Sequence, residues 1–283
     1  MYFLGQETAK IYHKGVEIGK AYRSGSLVFD NSMHAITQAV LTYATGQGYT
    51  PPSDLSAYDA HIRAIEGVLA KKDLYYIFCA DGSTGFKLIN IVNPGTFNGT
   101  GFGGLTWLNS GVQGNGTNAY ISTGFNPSLL ATGQKYQLNA ASRGATVYAN
   151  PSPTGTDSTI DGAGSLANTM FATSSNGNKI NQSSGNASVT SDLSGTGLKA
   201  IVRIGASATT IYNKAATTTS TAASTNLPIT QFILTRENAG VFAYSKLTLS
   251  SYFMGGSLTG TDISTIRTAT NNYLTAVGLS AVA

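Results

Sequence analysis

Short apolar or alternating runs, separated by turn residues, occupy most of the chain from about residue 74 onward. Side chains of a β-strand point alternately to its two faces, so such runs predict strands. The alternation is clearest in residues 198–204. We place strands near residues 74–80, 86–92, 118–123, 134–142, 145–149, 167–173, 198–204, 208–213, 229–235, 241–249 and 251–255, a set typical of an antiparallel β-sandwich.

Residues 31–73 instead carry apolar residues at helical spacing, in two stretches. Asn31 or Ser32 can cap the first helix, and Gly46 is placed to end it. Ser53 or Asp54 can cap the second helix. Both stretches predict short amphipathic helices, which we interpret as a helical linker region.

The ends of the helical segments have their own signals. Lys71 and Lys72 close the second helix, where the negative end of the helix dipole favours cations, so we expect both to be solvated. A third helix is predicted after the strands, capped by Thr261 and ended by Gly278. We expect it to lie on the sandwich, which would then span residues 74–283.

Residues 10–19 and 20–29 repeat Lys, Tyr and Gly at the same spacing. Each copy predicts a strand, a glycine turn and a second strand. A lone hairpin is marginally stable in water and needs a surface to pack on. We therefore expect residues 1–30 to form a β-ribbon that attaches the chain to another protein or to another copy of itself.

The composition excludes several classes of protein. Charged residues make up only 11% of the chain, and the net charge of +4 is dispersed along it, so we expect no nucleic-acid partner. No apolar run approaches a membrane span, and the N-terminus has no signal-peptide pattern, so we expect no membrane insertion and no Sec export. The uncharged stretch Thr217–Ser224 predicts an exposed strand edge or loop, and such an edge favours a homo-oligomer.

Cysteine and histidine give no sign of a metal centre. The single cysteine, Cys79, lies in an apolar run and is predicted to be a core thiol. His13, His34 and His61 are scattered and are predicted to be surface residues. We predict no metal and no cofactor. The alternative is a calcium ion bound by Asp157, Asp161 and loop carbonyls.

Several segments rich in turn residues carry a resemblance to known proteins. They are residues 44–53, 76–82, 90–94, 111–127 and the closing helix 265–278. Together they resemble a family of phage and prophage virion proteins with a concanavalin A-like (laminin G-like) lectin/glucanase domain. The resemblance implies a mainly β fold, a concanavalin A-like jelly roll, and a virion protein made in the host cytoplasm. It also implies that residues 1–30 contact other virion proteins.

The carboxylates of the predicted sandwich do not form a catalytic motif. None belongs to the Glu-x-Asp-x-x-Glu strand pattern of glucanases with this fold, and no Ser-His-Asp arrangement is present. We therefore expect no catalytic residue and a protein that is not an enzyme. From residue 90 onward these carboxylates are Asp157, Asp161, Asp192, Glu237 and Asp262.

Sugar binding needs an exposed aromatic ring beside polar side chains, and we choose Trp107, Tyr148, Tyr212 and Arg203 as carbohydrate-binding residues. The alternative is that these aromatic rings fill the core or a subunit contact. Three functions follow: a structural component of a phage particle that binds host surface polysaccharide, a stand-alone carbohydrate-binding adhesin, and a glycoside hydrolase. The missing motif and the ribbon favour the first.

Overall fold

The computed structural model describes residues 2–3, 11–13, 16–18, 20–23, 26–30, 33–151, 159–163, 165–171, 178–182, 195–214, 216–228, 230–238 and 241–282. Its helices are α1 (Ala35–Gly46), α2 (Leu55–Leu69), α3 (Thr84–Lys87) and α4 (Gly260–Ala276). The early strands are β1 (Tyr2–Phe3), β2 (Ile11–His13), β3 (Val16–Ile18), β4 (Lys20–Arg23), β5 (Ser26–Asp30), β6 (Lys72–Ile77), β7 (Thr100–Phe102), β8 (Thr106–Leu108), β9 (Gly111–Gln113) and β10 (Tyr120–Ser122). The later strands are β11 (Ala141–Ala149), β12 (Thr159–Ala163), β13 (Ser165–Phe171), β14 (Gly197–Gly205), β15 (Ala208–Asn213), β16 (Ala216–Ser220), β17 (Phe232–Ile233), β18 (Thr235–Asn238), β19 (Val241–Tyr244) and β20 (Thr248–Gly255).

Two antiparallel sheets face each other. The large sheet has the order β16-β15-β14-β11-β20-β9-β8, with β6 also paired to β20, and the small sheet has the order β13-β12-β17-β10-β7. Val147 and Ile201 of the large sheet share one buried cluster with Ile121 and Ile233 of the small sheet. Burial of these two inner faces is the main stabilising term, and it confirms the mainly β, antiparallel sandwich predicted from the alternation.

Helices cover the opposite face of the large sheet. Leu198 and Ala200 of β14 share a second buried cluster with Ile62 of α2 and Ile266 of α4, whereas Ile201 faces the small sheet. Both faces of β14 are therefore buried, which explains why apolar residues occur on both faces of this strand. The segment predicted as a helical linker contributes to this core, and the predicted domain boundaries themselves stay a prediction.

The helix ends follow local hydrogen bonding. Asp54 caps α2 as predicted, since its Oδ1 accepts a bond of 2.9 Å from the backbone N–H of Ala57. The cap of α4 is Thr259, two residues before the predicted Thr261, because Asp262 completes a capping box with Thr259. For α1 the cap is His34, and the predicted Asn31 and Ser32 lie outside the described residues.

Two predicted strands are wrong. Residues 86–92 overlap the short helix α3, whose cap Ser83 accepts a bond from the N–H of Phe86, and then form turns. Residues 134–140 form turns with one isolated bridge between Gln137 and Ala140, and β11 begins only after them. The prediction for the threonine-rich stretch is confirmed, because β16 is an exposed edge of the large sheet.

Several polar residues are more buried than predicted. His61 is buried rather than exposed, and its ring lies 5.3 Å from that of Tyr273. Lys72 is also buried, where it donates to Ser142 and to the backbone carbonyl of Gly256, and burial holds its pKa well below the usual value. Cys79 is a core thiol as predicted, and burial raises its pKa to about 12.

Strands β1 to β5 form the N-terminal hairpins that the repeat predicts. β1, β2 and β3 make a three-stranded antiparallel sheet, and β4 pairs with β5. Within the described residues these five strands pair only among themselves. The hairpins therefore draw their backbone hydrogen bonds from one another and not from the sandwich.

We predict that protonation of His61 destabilises the fold. Burial lowers the pKa of His61 to about 4, against 6.5 for the ordinary side chain. In the unfolded chain the ring binds a proton as the pH falls through about 6.5, whereas the folded chain resists this until about 4, so stability is lost across that window. The loss should be about 3 kcal/mol, measured as unfolding free energy in urea at pH 7.5 and 4.5.

Two variants test this assignment: His61→Phe removes the titrating ring, and His34→Asn is its control. His61→Phe should remove most of the pH dependence, because Phe fills the same apolar site without a titrating ring. His34→Asn should retain the dependence while keeping a side chain able to cap α1. An unchanged pH dependence in His61→Phe would contradict the assignment.

Candidate functional site

Five aromatic side chains meet on the outer face of the small sheet. They are Phe102 of β7, Tyr120 of β10, Phe232 of β17, and Phe242 and Tyr244 of β19. Tyr120 of β10 and Phe232 of β17 are each followed by an isoleucine that lies in the core between the sheets. Because side chains alternate between the two faces of a strand, both aromatic rings lie on the outer face of the small sheet. We call this group the aromatic ladder.

Most neighbouring rings of the aromatic ladder are stacked, and one ring meets the others edge to face. Phe102 stacks on Tyr120 at 4.8 Å with 13° between the ring planes, and Phe242 stacks on Tyr120 at 6.0 Å and on Tyr244 at 5.8 Å. Phe232 meets Tyr120 edge to face at 5.7 Å. Phe102 and Phe242 are 43% and 36% exposed. Aromatic rings usually bury most of their surface, so a group of exposed rings is a candidate binding surface.

Phe102 occupies the end of the aromatic ladder. Its strand, β7, is an edge of the small sheet, and Phe102 pairs directly with Tyr120 of the neighbouring strand. One face of the Phe102 ring therefore stacks on Tyr120, and the other points past the sheet edge. Thr100 and Ser122 form the next outward pair along the same strands and supply hydroxyl groups beside the rings.

A tight turn held by Asn115 lies next to β7. The Oδ1 atom of Asn115 accepts bonds of 2.9, 3.0 and 3.1 Å from the N–H groups of Thr117, Asn118 and Ala119. Its Nδ2 atom donates to the backbone carbonyl of Gly103 and to Asn118 Oδ1, both at 2.8 Å. One side chain thus fixes the turn of residues 115–119, which we call the Asn115 turn.

Glycine is required where the Asn115 turn meets the end of β7. Gly103 has φ +69°, and a Cβ atom there would lie 1.9 Å from the backbone carbonyl oxygen of Asn118. The backbone approach places the exposed Thr117 and Asn118 near the end of the aromatic ladder. A Cβ at Gly116 would contact the Lys246 side chain, so one cation also lies against this turn.

The aromatic ladder and the Asn115 turn offer complementary chemistry. An aromatic face binds the apolar C–H face of a ring, and side-chain amides and hydroxyls donate and accept neutral hydrogen bonds. These groups need no change of protonation to bind a ligand. The arrangement therefore suits an amphipathic, hydroxyl-rich ligand.

The structure does not bring the four sequence-predicted sugar contacts together. Trp107 of β8 packs against the core between the sheets and meets Phe78 edge to face at 6.4 Å. Tyr148 and Tyr212 are partly buried against the helix-side core, on the other face of the large sheet. As sugar contacts these three aromatic residues stay a prediction.

Arg203 requires a correction. It is fully buried, and its guanidinium donates to the backbone carbonyls of Ile180 at 3.0 Å, Gly205 at 3.2 Å, Ala206 at 3.0 Å and Ala222 at 3.1 Å. An arginine that interrupts an apolar strand must reach solvent or find partners, and here it finds backbone partners. The N–H groups of its guanidinium therefore stabilise the segments that supply these carbonyls.

A separate acidic cleft of about 300 Å³ lies at the start of α2. It is lined by Asp54, Asp81 and Asn109 among others. Hydrogen bonds from Ser53 lower the pKa of Asp81, so this carboxylate is ionised at neutral pH. A glycosidase general acid must instead hold its proton, which makes Asp81 a poor candidate for that role.

The described ranges contain neither a cluster of metal-binding side chains nor a membrane-spanning helix. No three His, Cys, Asp or Glu side chains among them lie close enough to hold a metal ion. Asp161, one of the two proposed calcium ligands, is buried in an ion pair with Arg143, and Asp157 lies outside the described residues. None of the described helices is long and apolar enough to cross a membrane.

The sequence matches no protein-family profile and no curated protein. Among solved structures, a mutant Trypanosoma rangeli sialidase displaying trans-sialidase activity is similar, with a TM-score of 0.50, 12% identity and coverage of 86% of this chain and 39% of the sialidase chain. Domain 4 of a GH43 extracellular arabinanase from Geobacillus stearothermophilus, solved with arabinotriose, has a TM-score of 0.42, 14% identity and coverage of 69% and 98%. The likeness to the sialidase shows a shared fold, and this chain spans about two fifths of that protein.

The expectation that this chain is not an enzyme is wrong. It rested on a missing glucanase motif, whereas the solved structure that shares this fold belongs to a sialidase, which is an enzyme. Glycosidases do not all place an acid and a nucleophile in one strand motif, and sialidases use a tyrosine nucleophile. Neither similar protein is a phage protein, so the virion setting stays a prediction.

We predict that Asn115→Ala loosens the Asn115 turn. The substitution removes three accepted and two donated hydrogen bonds. Because water replaces some of these bonds, the unfolding free energy should fall by about 1 to 2 kcal/mol. The exposed Asn93 provides a control, since Asn93→Ala should change the unfolding free energy by less than about 0.5 kcal/mol. Equal stability of the two variants in urea denaturation would show that Asn115 does not hold the turn.

Proposed function

We propose that the sandwich binds glycans at the aromatic ladder and the Asn115 turn. The observation that carries this proposal is the open ring face of Phe102 at the edge of the small sheet, 43% of the side chain being exposed. A pyranose can stack its apolar C–H face on such a ring while its hydroxyls reach the neighbouring amide and hydroxyl groups. The bound glycan would thereby cover an aromatic surface that water now contacts.

Rigidity supports this proposal. The rings of the aromatic ladder brace one another by stacking, and Asn115 fixes the backbone of the turn through five hydrogen bonds of 2.8 to 3.1 Å. A site that is already ordered pays less conformational entropy when it binds. A ligand that binds weakly, such as a sugar, benefits from that saving.

The comparisons support the same substrate class in a coarser way. A protein with a shared fold is a sialidase that displays trans-sialidase activity. A fold does not determine function, so this likeness only favours glycans over other ligands. The specific argument remains the chemistry of the aromatic ladder.

We also propose that the protein is a component of a phage particle, attached through residues 1–30. Support comes from the resemblance of residues 44–53 and 111–127 to virion proteins and from the N-terminal hairpins, which pair only among themselves in the described chain. A glycan-binding sandwich on such an attachment segment would hold a particle against a host surface polysaccharide.

We predict that Phe102→Ala and Phe242→Ala each weaken glycan binding about tenfold, equivalent to about 1.4 kcal/mol, because each removes stacking area. A glycan array identifies the oligosaccharide, and titration calorimetry measures its dissociation constant. Phe97→Ala is the matched control, since Phe97 is similarly exposed, at 38%, and meets Phe125 edge to face outside the aromatic ladder.

The outcomes of this experiment distinguish the aromatic ladder from the helix side of the large sheet, and glycoside hydrolysis from binding alone. Loss of binding in Tyr148→Ala or Tyr212→Ala, with Phe102→Ala unaffected, would move the site to the helix side of the large sheet. Unchanged affinity in all four variants would contradict the proposed function. Reducing ends released from the bound polysaccharide would identify glycoside hydrolysis, and intact polysaccharide would identify binding alone.

We predict that deletion of residues 1–30 leaves the sandwich folded but prevents its incorporation into particles. No strand of the sandwich pairs with the described strands of this segment, so we expect its loss to leave the core covered. Thermal unfolding followed by circular dichroism tests the first part, and co-sedimentation with particles tests the second. Loss of cooperative unfolding would show that the segment is part of the core.

A further inference from the structure

The strand β16 is an unprotected edge of the large sheet. It pairs with β15 in an uninterrupted register, from Asn213 opposite Ala216 to Thr209 opposite Ser220. No strand of the described residues pairs with its other side, and residues 216–219 are exposed. The N–H and C=O groups on that side are therefore available to another strand.

The other edges of the large sheet and the small sheet are covered, short or irregular. Asn90 covers β6, where its Oδ1 accepts from Tyr75 N–H at 3.1 Å and its Nδ2 donates to the Asp73 carbonyl at 2.9 Å. β7 and β8 have only three residues each, and β13 pairs with β12 through two register shifts. Such features prevent edge-to-edge pairing, whereas β16 has no charge, no proline and no register shift.

We infer that β16 pairs in an antiparallel manner with β16 of a second copy of this chain, around a two-fold axis at Thr218. This inference is independent of the proposed glycan binding. In this register Thr218 lies opposite its counterpart, Thr217 lies opposite Thr219, and Ala216 lies opposite Ser220. Cross-strand threonine pairs are favourable.

Charge favours a second copy as the partner. β16 contains no ionisable residue, so two copies meet without like-charge repulsion. The preceding charged residue, Lys214, would lie opposite Ala222 of the other copy. A two-fold interface requires a surface that is complementary to itself, and β16 meets that requirement along its whole length.

The test uses the oligomeric state of the full chain, measured by sedimentation velocity across a concentration series. The wild-type protein should shift from 29.3 kDa toward twice that mass as concentration rises. Thr218→Lys and Thr218→Glu should each be monomeric, because each places like charges opposite each other at the axis. An equimolar mixture of the two variants should recover the dimer.

A disulfide trap tests the register itself. Thr218→Cys should form a disulfide-linked dimer under mild oxidation, since directly opposite Cβ atoms in a sheet lie about 4.5 to 5.5 Å apart. The native Cys79 is buried and does not compete. Ser207→Cys, in the exposed turn before β15, is the control and should stay monomeric.

A wild-type chain that remains monomeric at every concentration would overturn the inference, as would a dimer that persists in both charged variants. Failure of the mixed variants to associate would overturn it as well. A monomeric chain whose β16 instead binds a different protein would assign the edge to that protein. Circular dichroism of each variant confirms that the sandwich is folded.

Discussion

An ion pair between Arg143 and Asp161 joins the two sheets at the centre of the sandwich. The atoms Arg143 Nη1 and Asp161 Oδ1 lie 3.2 Å apart, and both side chains are completely buried. Burial raises the pKa of Asp161, while Arg143 and the Tyr252 hydroxyl, at 2.8 Å, favour its charged form. Removing two charges from water is costly, and either charge alone would be uncompensated. The ion pair therefore favours the relative position of the large sheet and the small sheet in which the two charges meet.

The same buried region orders the structure around it. Arg143 and Arg203 donate to the consecutive carbonyls of Lys179 and Ile180, so the segment 178–182 is held against the large sheet. On the small sheet, Asp161 is paired in register with Ile233, and the preceding residue of β17 is Phe232 of the aromatic ladder. The ion pair in the core thus fixes the strand that carries one ring of the outer surface. The candidate glycan site depends on an interaction that no ligand would contact.

The local pattern of the sequence predicts the elements better than the partners of their polar residues. The alternation of β14, the cap at Asp54 and the exposed edge at β16 follow from neighbouring residues, and these were predicted correctly. His61 and Lys72 were predicted to be exposed, and Arg203 was predicted either to reach solvent or to find a partner. The sequence does not show that distant carbonyls or aromatic rings surround these residues. The aromatic ladder was missed for a related reason. Two of its strands, β7 and β10, lie more than a hundred residues before the other two, β17 and β19, and each ring alone looks like an ordinary apolar position. Only the strand order β17-β10-β7 brings them together.

The aromatic ladder and the open edge belong to different sheets, and this separation has a consequence for function. A two-fold axis normal to the large sheet would continue that sheet across β16 and would leave the small sheet of each copy uncovered. Both small sheets, and so both aromatic ladders, would then lie on the same side of the joined sheet. Two weak glycan sites that face one surface bind it with a far lower dissociation constant than one site, because the second contact forms at a high effective concentration. A repetitive polysaccharide would present many copies of the same unit to such a pair. Association through β16 would therefore compensate for the modest energy that stacking on a few aromatic rings can provide.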